Sequence, residues 1–426
     1  MGFILKGNIC YSKSPQELET VENGYLVCEN GAVKGAFPAF TAVPERYGAF
    51  RVDDYGDCVI IPGLCDLHIH APQFAFRGLG MDLELLDWLN TYTFPEESKY
   101  AEIDYANTAY GYFVDELRRG ATTRACVFAT LHTQATVLLM EKLERSGLAT
   151  YVGKVNMDRN CPDYLRSESA EAAYLSTRIW IERTKGRFRN TKPIITPRFI
   201  PTCSDELMGK LQGLQKEHGL PVQSHLSENR GEIEWVRELC PEASSYGEAY
   251  DRFGLFGGEG VPTVMAHCVW SEGAEEELLR DNGVYVAHCP QSNTNLASGI
   301  APIRRFLKKG IRVGLGTDVA GGCHASMFRA ISDAEQASKL YWRLVDQDDA
   351  PLTMTEAFYL GTEGGGSFFG KVGSFREGYE FDAIVVDDSG IATSNPLKVK
   401  ERLARIVHLS DDRNIVAKYV RGKRVK

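Results

Sequence analysis

Residues 262–291 read "PTVMAHCVWSEGAEEELLRDNGVYVAHCPQ", and this stretch contains one full repeat of the architecture. A short apolar, β-branched run (262–270) leads into a helical one. Gly283 closes that helix, and a second strand-like run (283–291) follows. Strand, helix, glycine, strand is the βαβ unit of a parallel sheet. Each of the two strands also carries a histidine near its end, His267 and His288.

The unit recurs outward in both directions. "GLCDLHI" (63–69), "ATTRACVFATL" (121–131), "LATYVGKVNM" (148–157), "KPIITPRFI" (192–200) and "LPVQSHLSE" (220–228) precede it, and "IRVGLGTDV" (311–319) comes after. Amphipathic runs such as "EIDYANTAYGYFVDELRR", "SDELMGKLQGLQKEHG" and "APIRRFLKKG" lie between them. Gly120, Gly147, Gly219, Gly283 and Gly310 each stand where a helix closes before a strand, a position suited to a left-handed C-cap. Eight strands alternating with helices over roughly 250 residues give the count and size of a (β/α)8 TIM-type barrel, fold class α/β. A doubly wound open sheet is weakened because no GxGxxG opens a helix after the first strand. The two chain ends differ from the middle: residues 1–62 and 376–426 read as short alternating strands with Gly, Asn-Gly and Asp-Asp turns. Their shared character predicts one small β domain, built from both ends and bracketing a barrel at 63–375.

Composition narrows the partners. The 426 residues are 43% hydrophobic and 25% charged with a net charge of -9, and the pI is near 5.6. That balance argues against nucleic acid or an acidic membrane surface, which need a basic face. The closing "RGKRVK" reads as a solvated basic end. Eleven cysteines are scattered with no pair closer than Cys58 and Cys65, which excludes a CxxC site and fits a reducing cytosol. The start "MGFILKGNICYS" lacks a secretion signal, and no window has the apolar length of a membrane helix, so a soluble cytoplasmic protein is expected.

The candidate chemistry sits at strand ends. In "GLCDLHIHAPQF" (63–74), His68 and His70 are two apart and share a strand face, as does Asp66. His225, His267 and Asp318 fall at the same end of the fifth, sixth and eighth strands, so all would converge on the C-terminal mouth of the barrel. Imidazole and carboxylate donors in that number suit zinc. Glu228, three residues after His225, is placed to carry a proton from an activated water. It also reads as a helix N-terminal residue, with Ser227 starting the helix, and both readings can hold together. Asp318, with Gly314 and Gly316 leaving space around it, would bind the metal and orient the water. His267 either ligates the metal or hydrogen-bonds the nucleophile and the developing tetrahedral centre; the second option, which leaves four protein ligands plus water, is favoured. His288 reads as structural or supporting, His132 and His218 as surface or helix-end residues, and His408 as remote.

With HxH after strand one, His after strands five and six, Asp after strand eight and a bracketing β domain, the chain resembles the amidohydrolase superfamily. Within it, "PGLCDLHIHAPQFAFRGLGMDLELLDWLNTYTFPEES", "TPRFIP", "SHLSENRGEI", "AHCPQSN" and "GLGTDVAGG" are similar to the branch that acts on guanine. The resemblance covers essentially the whole chain. It implies metal ligands His68, His70, His225 and Asp318, Glu228 as proton shuttle, and His267 beside the nucleophile. Gln73, Arg198 and Phe199 would hold the purine, bordered by His70, His225, Glu228 and Asp318. The implied activity is hydrolytic deamination of guanine to xanthine and ammonia, with catalytic residues Glu228, His267 and Asp318. The cofactor would be one Zn2+ per subunit, a donor set that also accepts Fe2+, and the assembly a homodimer. "TPRFIP" carries no lysine where two-metal barrels of this type place a bridging one, so a single ion is expected. The alternatives are a related deaminase or chlorohydrolase acting on another purine, a pterin or a triazine, and a metal-free scaffold. Cys65 and His324 depart from the familiar pattern without touching the inferred ligands, and residues 76–94 are the candidate lid.

Overall fold

The computed structural model describes residues 2–426. Eight parallel strands follow one another in chain order: Leu64–His70, Thr122–Phe128, Ala149–Gly153, Thr191–Pro193, Val222–Leu226, Thr263–His267, Tyr285–His288 and Arg312–Leu315. Neighbours are hydrogen-bonded, and the eighth pairs with the first through Leu315 and Asp66. Between the fourth and fifth strands the ring closes through a parallel bridge at Ile195 and Val222. There the Ile195 N–H donates to Pro221 O and the Gln223 N–H to Ile195 O. The (β/α)8 barrel is therefore the observed fold. Its strands are apolar runs because both faces are covered: every residue of Leu64–His70 and of Thr122–Phe128 is buried.

The helices form where apolar residues recur at helical spacing. Ile103–Arg119 buries Ala106, Tyr110, Phe113 and Leu117 along one stripe. Asp205–His218 starts at Ser204, whose side chain accepts the Leu207 N–H, and stops at Gly219 in the left-handed conformation (φ 61°). Gly147, Gly283 and Gly310 also adopt positive φ, but Gly120 does not; at φ -72° and ψ -176° it is extended. Its carbonyl is instead taken by the Lys418 ammonium at 2.8 Å, so this helix end needs no left-handed turn.

The chain ends meet in a seven-stranded sheet, whose order is Lys423–Arg424, Ile415–Val420, Ala383–Val386, Arg51–Pro62, Gly2–Ser14, Glu17–Glu29 and Ala32–Phe37. Arg51–Pro62 is the junction, parallel to Gly2–Ser14 on one side and antiparallel to Ala383–Val386 on the other. Leu5, Ile9, Leu26, Ile60, Phe381 and Val385 lie in its buried core. Two parts of the sequence reading of the C-terminal segment need correction. "VKERLARIVHL" is a helix, Val399–Leu409, not a strand, since Val399, Leu403, Ile406 and Val407 are buried at a 3.6-residue period. The basic tail is not merely solvated: Lys423–Arg424 is an edge strand, and the Lys426 ammonium donates to the Arg119 and Asp412 carbonyls.

Two buried cations fasten the sheet to the barrel. Arg124 of the second barrel strand donates to both oxygens of Asp382 (2.6 and 3.1 Å) and to Glu380 (2.7 Å). Lys418 donates to the carbonyls of Leu117, Gly120 and Thr122 at 2.7, 2.8 and 3.1 Å. All eleven cysteines are free. Among the described residues no helix is long and apolar enough to cross a membrane.

Candidate active site

At the C-terminal mouth of the barrel, His68 and His70 from the first strand meet His225, His267 and Asp318 from the fifth, sixth and eighth. The Nε2 atoms of His68 and His70 are 3.1 Å apart, and those of His70 and His225 are 3.3 Å apart. Asp318 Oδ1 lies 3.1 Å from His68 Nε2 and 3.2 Å from His70 Nε2. Ligands about 2 Å from one tetrahedral ion stand roughly 3.3 Å from each other, so these spacings fit a shared divalent cation. His68 and His225 are held in the neutral form that can act as a ligand. Burial holds His68 down to about 4 and pushes His225, which the other site histidines also depress, well below its usual range. His225 Nδ1–H donates to the Arg198 carbonyl at 2.7 Å, which leaves the Nε2 lone pair facing the cluster. Burial alone would raise the Asp318 carboxyl, but the facing imidazoles outweigh it and hold the group well below the usual carboxylate range. Asp66 does not join the cluster; its carboxylate accepts from the Thr317 N–H and hydroxyl at 3.0 and 2.6 Å and braces the turn before Asp318.

The backbone is bent to aim these groups. Ser227, His267, Cys268 and Asp318 have φ of 46°, 75°, 51° and 46°, left-handed values that cost non-glycine residues about 1–3 kcal/mol each. Such strain concentrated at three strand ends marks a site that the surrounding fold over-determines.

Glu228 and His267 form the next layer. Glu228 Oε2 is 3.4 Å from His267 Nε2, and Glu228 Oε1 accepts from the Ser298 hydroxyl at 3.2 Å. His267 Nε2 stands 3.7 Å from Asp318 Oδ2, and its Nδ1–H donates to Asn293 Oδ1 at 2.9 Å. Burial, and then the nearby Asp318 carboxylate, raise Glu228 well above the ordinary range, so it is a carboxyl with high proton affinity. The Glu228 N–H donates to Glu232, itself raised to about 7 by burial and by Glu228 and held by the Tyr246 hydroxyl at 2.7 Å. The helix after Glu228 begins at Arg230 and is capped by Asn229, not Ser227, whose hydroxyl instead donates to Glu275. Glu228 therefore lies outside the helix and is not one of its first-turn acids.

The cluster opens into a pocket that is also lined by Gln73, Arg198 and Phe199 together with Leu85, Trp88 and Leu89. The last three come from the long segment after the first strand, where a π-helical turn at Leu89–Thr93 links Leu85–Trp88 to Phe94–Ser98. π-turns recur at functional sites because they re-aim side chains within a helix. Gln73 Oε1 accepts the Ala320 N–H at 3.1 Å. The pocket thus brings together apolar side chains, an amide and a guanidinium with the cluster residues His70, His225, His267 and Asp318.

The five expected cluster residues, Glu228 and the three pocket residues all converge here. His288 is buried near His267 but outside the cluster, with Nδ1 unpartnered. His132 caps a helix start, His218 is the last residue of a helix, and the exposed His324 takes no part. His408 bonds to Ser332, on a helix and away from the mouth. Sequence reasoning missed Glu97, Glu232, Asn293 and Ser298. Glu232 could have been noticed as a Glu at the third position of the helix capped by Asn229, where its carboxylate can reach back to the preceding backbone.

Closed barrel, bracketing sheet and a histidine–aspartate cluster at the C-terminal rim define a hydrolase barrel of one kind, and the chain belongs to the amidohydrolase family, whose model matches residues 59–425. Among its curated relatives, the guanine deaminase of Dictyostelium discoideum is 39% identical over 88% of this chain and 84% of its own length. The guanine deaminase of Escherichia coli (strain K12) is 34% identical over 97% and 94%. A crystal structure of guanine deaminase from C. acetobutylicum with bound guanine in the active site is 45% identical, covers 100% of both chains and superposes with a TM-score of 0.96.

Proposed function

We propose that this protein deaminates guanine hydrolytically, giving xanthine and ammonia. The observation that carries the reading is that Glu228 lines one pocket together with the cation-competent His70, His225 and Asp318 and with Gln73, Arg198 and Phe199. Similarity over the whole chain to guanine deaminases supports it. His68, His70, His225 and Asp318 would hold the metal, with zinc the ion that neutral imidazoles and one carboxylate suit best. When bound, the ion supplies the Lewis acidity that makes water a nucleophile near neutral pH.

The chain's own groups do the rest. Phe199 offers a face to the purine, Arg198 donates to its carbonyl oxygen, and Gln73 pairs with the ring edge. Glu228 takes a proton from the attacking water and delivers it to ring N3 as the oxygen–C2 bond forms. His267, held by Asn293, faces the oxygen added at C2 and stabilises the charge that develops there. The remaining hydroxyl proton passes through Glu228 or Asp318 to the amino nitrogen. The C2–N bond then breaks, leaving a carbonyl at C2 and free ammonia. In this reading residues 63–375 are the catalytic unit, and 1–62 with 376–426 form the sheet that brackets it. The protein acts in the cytoplasm, consistent with eleven free cysteines, and as a homodimer, as the family resemblance implies.

The test is ammonia release from a panel of free bases and nucleosides by protein reconstituted with zinc. Guanine should be the preferred substrate by orders of magnitude. No release from guanine, or equal release from adenine or a nucleoside, refutes the assignment, as does less than one metal equivalent after reconstitution.

A further inference from the structure

We infer that Glu97 is a positioning residue that sets the hydrogen-bonding polarity and the charge preference of the pocket, an inference that rests on the guanine reading above. Glu97 is buried and does not line the pocket, but it holds two residues that do. One carboxylate oxygen accepts from Gln73 Nε2 at 3.0 Å and the other from Arg198 Nη1 at 2.5 Å. The same short helix, Phe94–Ser98, places the Phe94 ring 5.2 Å from the Arg198 guanidinium.

Two consequences follow from donor and acceptor chemistry. A carboxylate only accepts and the Ala320 N–H only donates, so the Gln73 amide is pinned with nitrogen toward Glu97 and oxygen toward Ala320. Only its second N–H and second lone pair are left for a ligand, in one fixed order. Arg198 is permanently charged and 3% exposed, and Glu97 supplies the compensating charge. A ring carbonyl can then accept from the remaining guanidinium N–H groups, while an anionic ring gains little from a cation already neutralised. Deamination converts the amidine at C2 into a second carbonyl flanked by ring N–H groups and makes the ring more acidic, so a neutralised Arg198 favours the neutral substrate over the ionised product.

The isosteric variant Glu97→Gln is the test. Its KM for guanine should rise about 10- to 100-fold, the range for losing a hydrogen bond to a charged group, while kcat changes much less. Xanthine binding is then titrated calorimetrically on both sides of the ring ionisation. The wild type should hold the anion no more tightly than the neutral base, whereas Glu97→Gln should prefer the anion at least about tenfold. Glu97→Asp keeps the charge but is too short to span both partners; it should raise KM without gaining the anion preference. A wild-type KM, or a wild-type ratio of anion to neutral binding, in Glu97→Gln overturns the inference. If Glu97→Gln does not fold, an unchanged KM in Glu97→Asp overturns it. Should the wild type release no ammonia from guanine, the functional reading falls and the xanthine ratios still decide the role of Glu97.

Discussion

Lys418→Met removes the buried cation that ties the C-terminal strand to the end of the first long barrel helix. Its ammonium satisfies three carbonyls, those of Leu117, Gly120 and Thr122, and its side chain is fully buried. Methionine fills most of the same volume, so little cavity is created. What is lost is the partner of three buried acceptors, each worth about 1–2 kcal/mol when stranded. Burial works against the native residue, drawing the Lys418 pKa well below its usual value, and relief of that desolvation offsets part of the loss. The net expectation is destabilisation by about 3 kcal/mol. An unfolding entropy of ~2.1 cal/mol/K per residue over 426 residues converts this into a Tm lowered by about 3 K. Calorimetry at fixed metal content measures it. Thr122 opens the second strand, at the end of the barrel opposite the catalytic mouth, so kcat and KM at low temperature should not change. A variant as stable as the wild type, or more stable, would refute the reasoning that the three carbonyls depend on this ammonium.

Other expectations can be checked directly. Glu228→Gln keeps the side chain's shape but removes the proton carrier of the proposed mechanism, so kcat should drop by about 10²–10⁴-fold while the stoichiometry of zinc bound on reconstitution holds. Asn293→Ala frees His267 Nδ1 and should lower kcat/KM by about 10–100-fold with little change in guanine affinity. Lys154 is buried against Thr177, and burial lowers its pKa to about 7. The folded state thus binds fewer protons than the unfolded chain between about pH 7 and 10.5, so stability contributed here rises with pH across that window and is lowest below it. Lys154→Met should be more stable than the wild type near pH 7 by up to several kcal/mol, and the gap should close toward pH 10; a gap independent of pH would contradict the assignment. Chelation should abolish activity and lower Tm, and zinc should restore both, activity saturating with occupancy and the stabilisation growing with the logarithm of the zinc excess over Kd.

The barrel was legible because its strands are buried on both faces and read as continuous apolar runs, closed by glycines of which four of five behave as expected. The cluster was legible for a related reason: in a strand, side chains two apart share a face, so His68 and His70 declare themselves, and strand ends collect at one rim. Residues held by loops gave no such signal. Glu97 reaches Arg198 from 101 positions away because a π-helical turn re-aims Phe94–Ser98, and no local period encodes that. Asn293 acts on His267 from a short helix after the next strand. The helix Val399–Leu409 was misread for another reason: near chain ends already rich in strands, "RIVHL" satisfies a short alternating pattern as well as a helical one. Ser227 lost the N-cap position to Asn229 because its hydroxyl donates to Glu275 instead.

The junction strand Arg51–Pro62 has a consequence for biosynthesis. Its outer edge, with Val59, Ile60 and Ile61 buried in the finished protein, pairs with Ala383–Val386, which leaves the ribosome about 320 residues later. At ~5–20 residues per second, the nascent chain carries an open, oily strand edge for roughly 15–60 s. An entire barrel must be translated before that edge is sealed, so emergence of Ala383–Val386, and not emergence of the clustered histidines, is the step that ends exposure to aggregation.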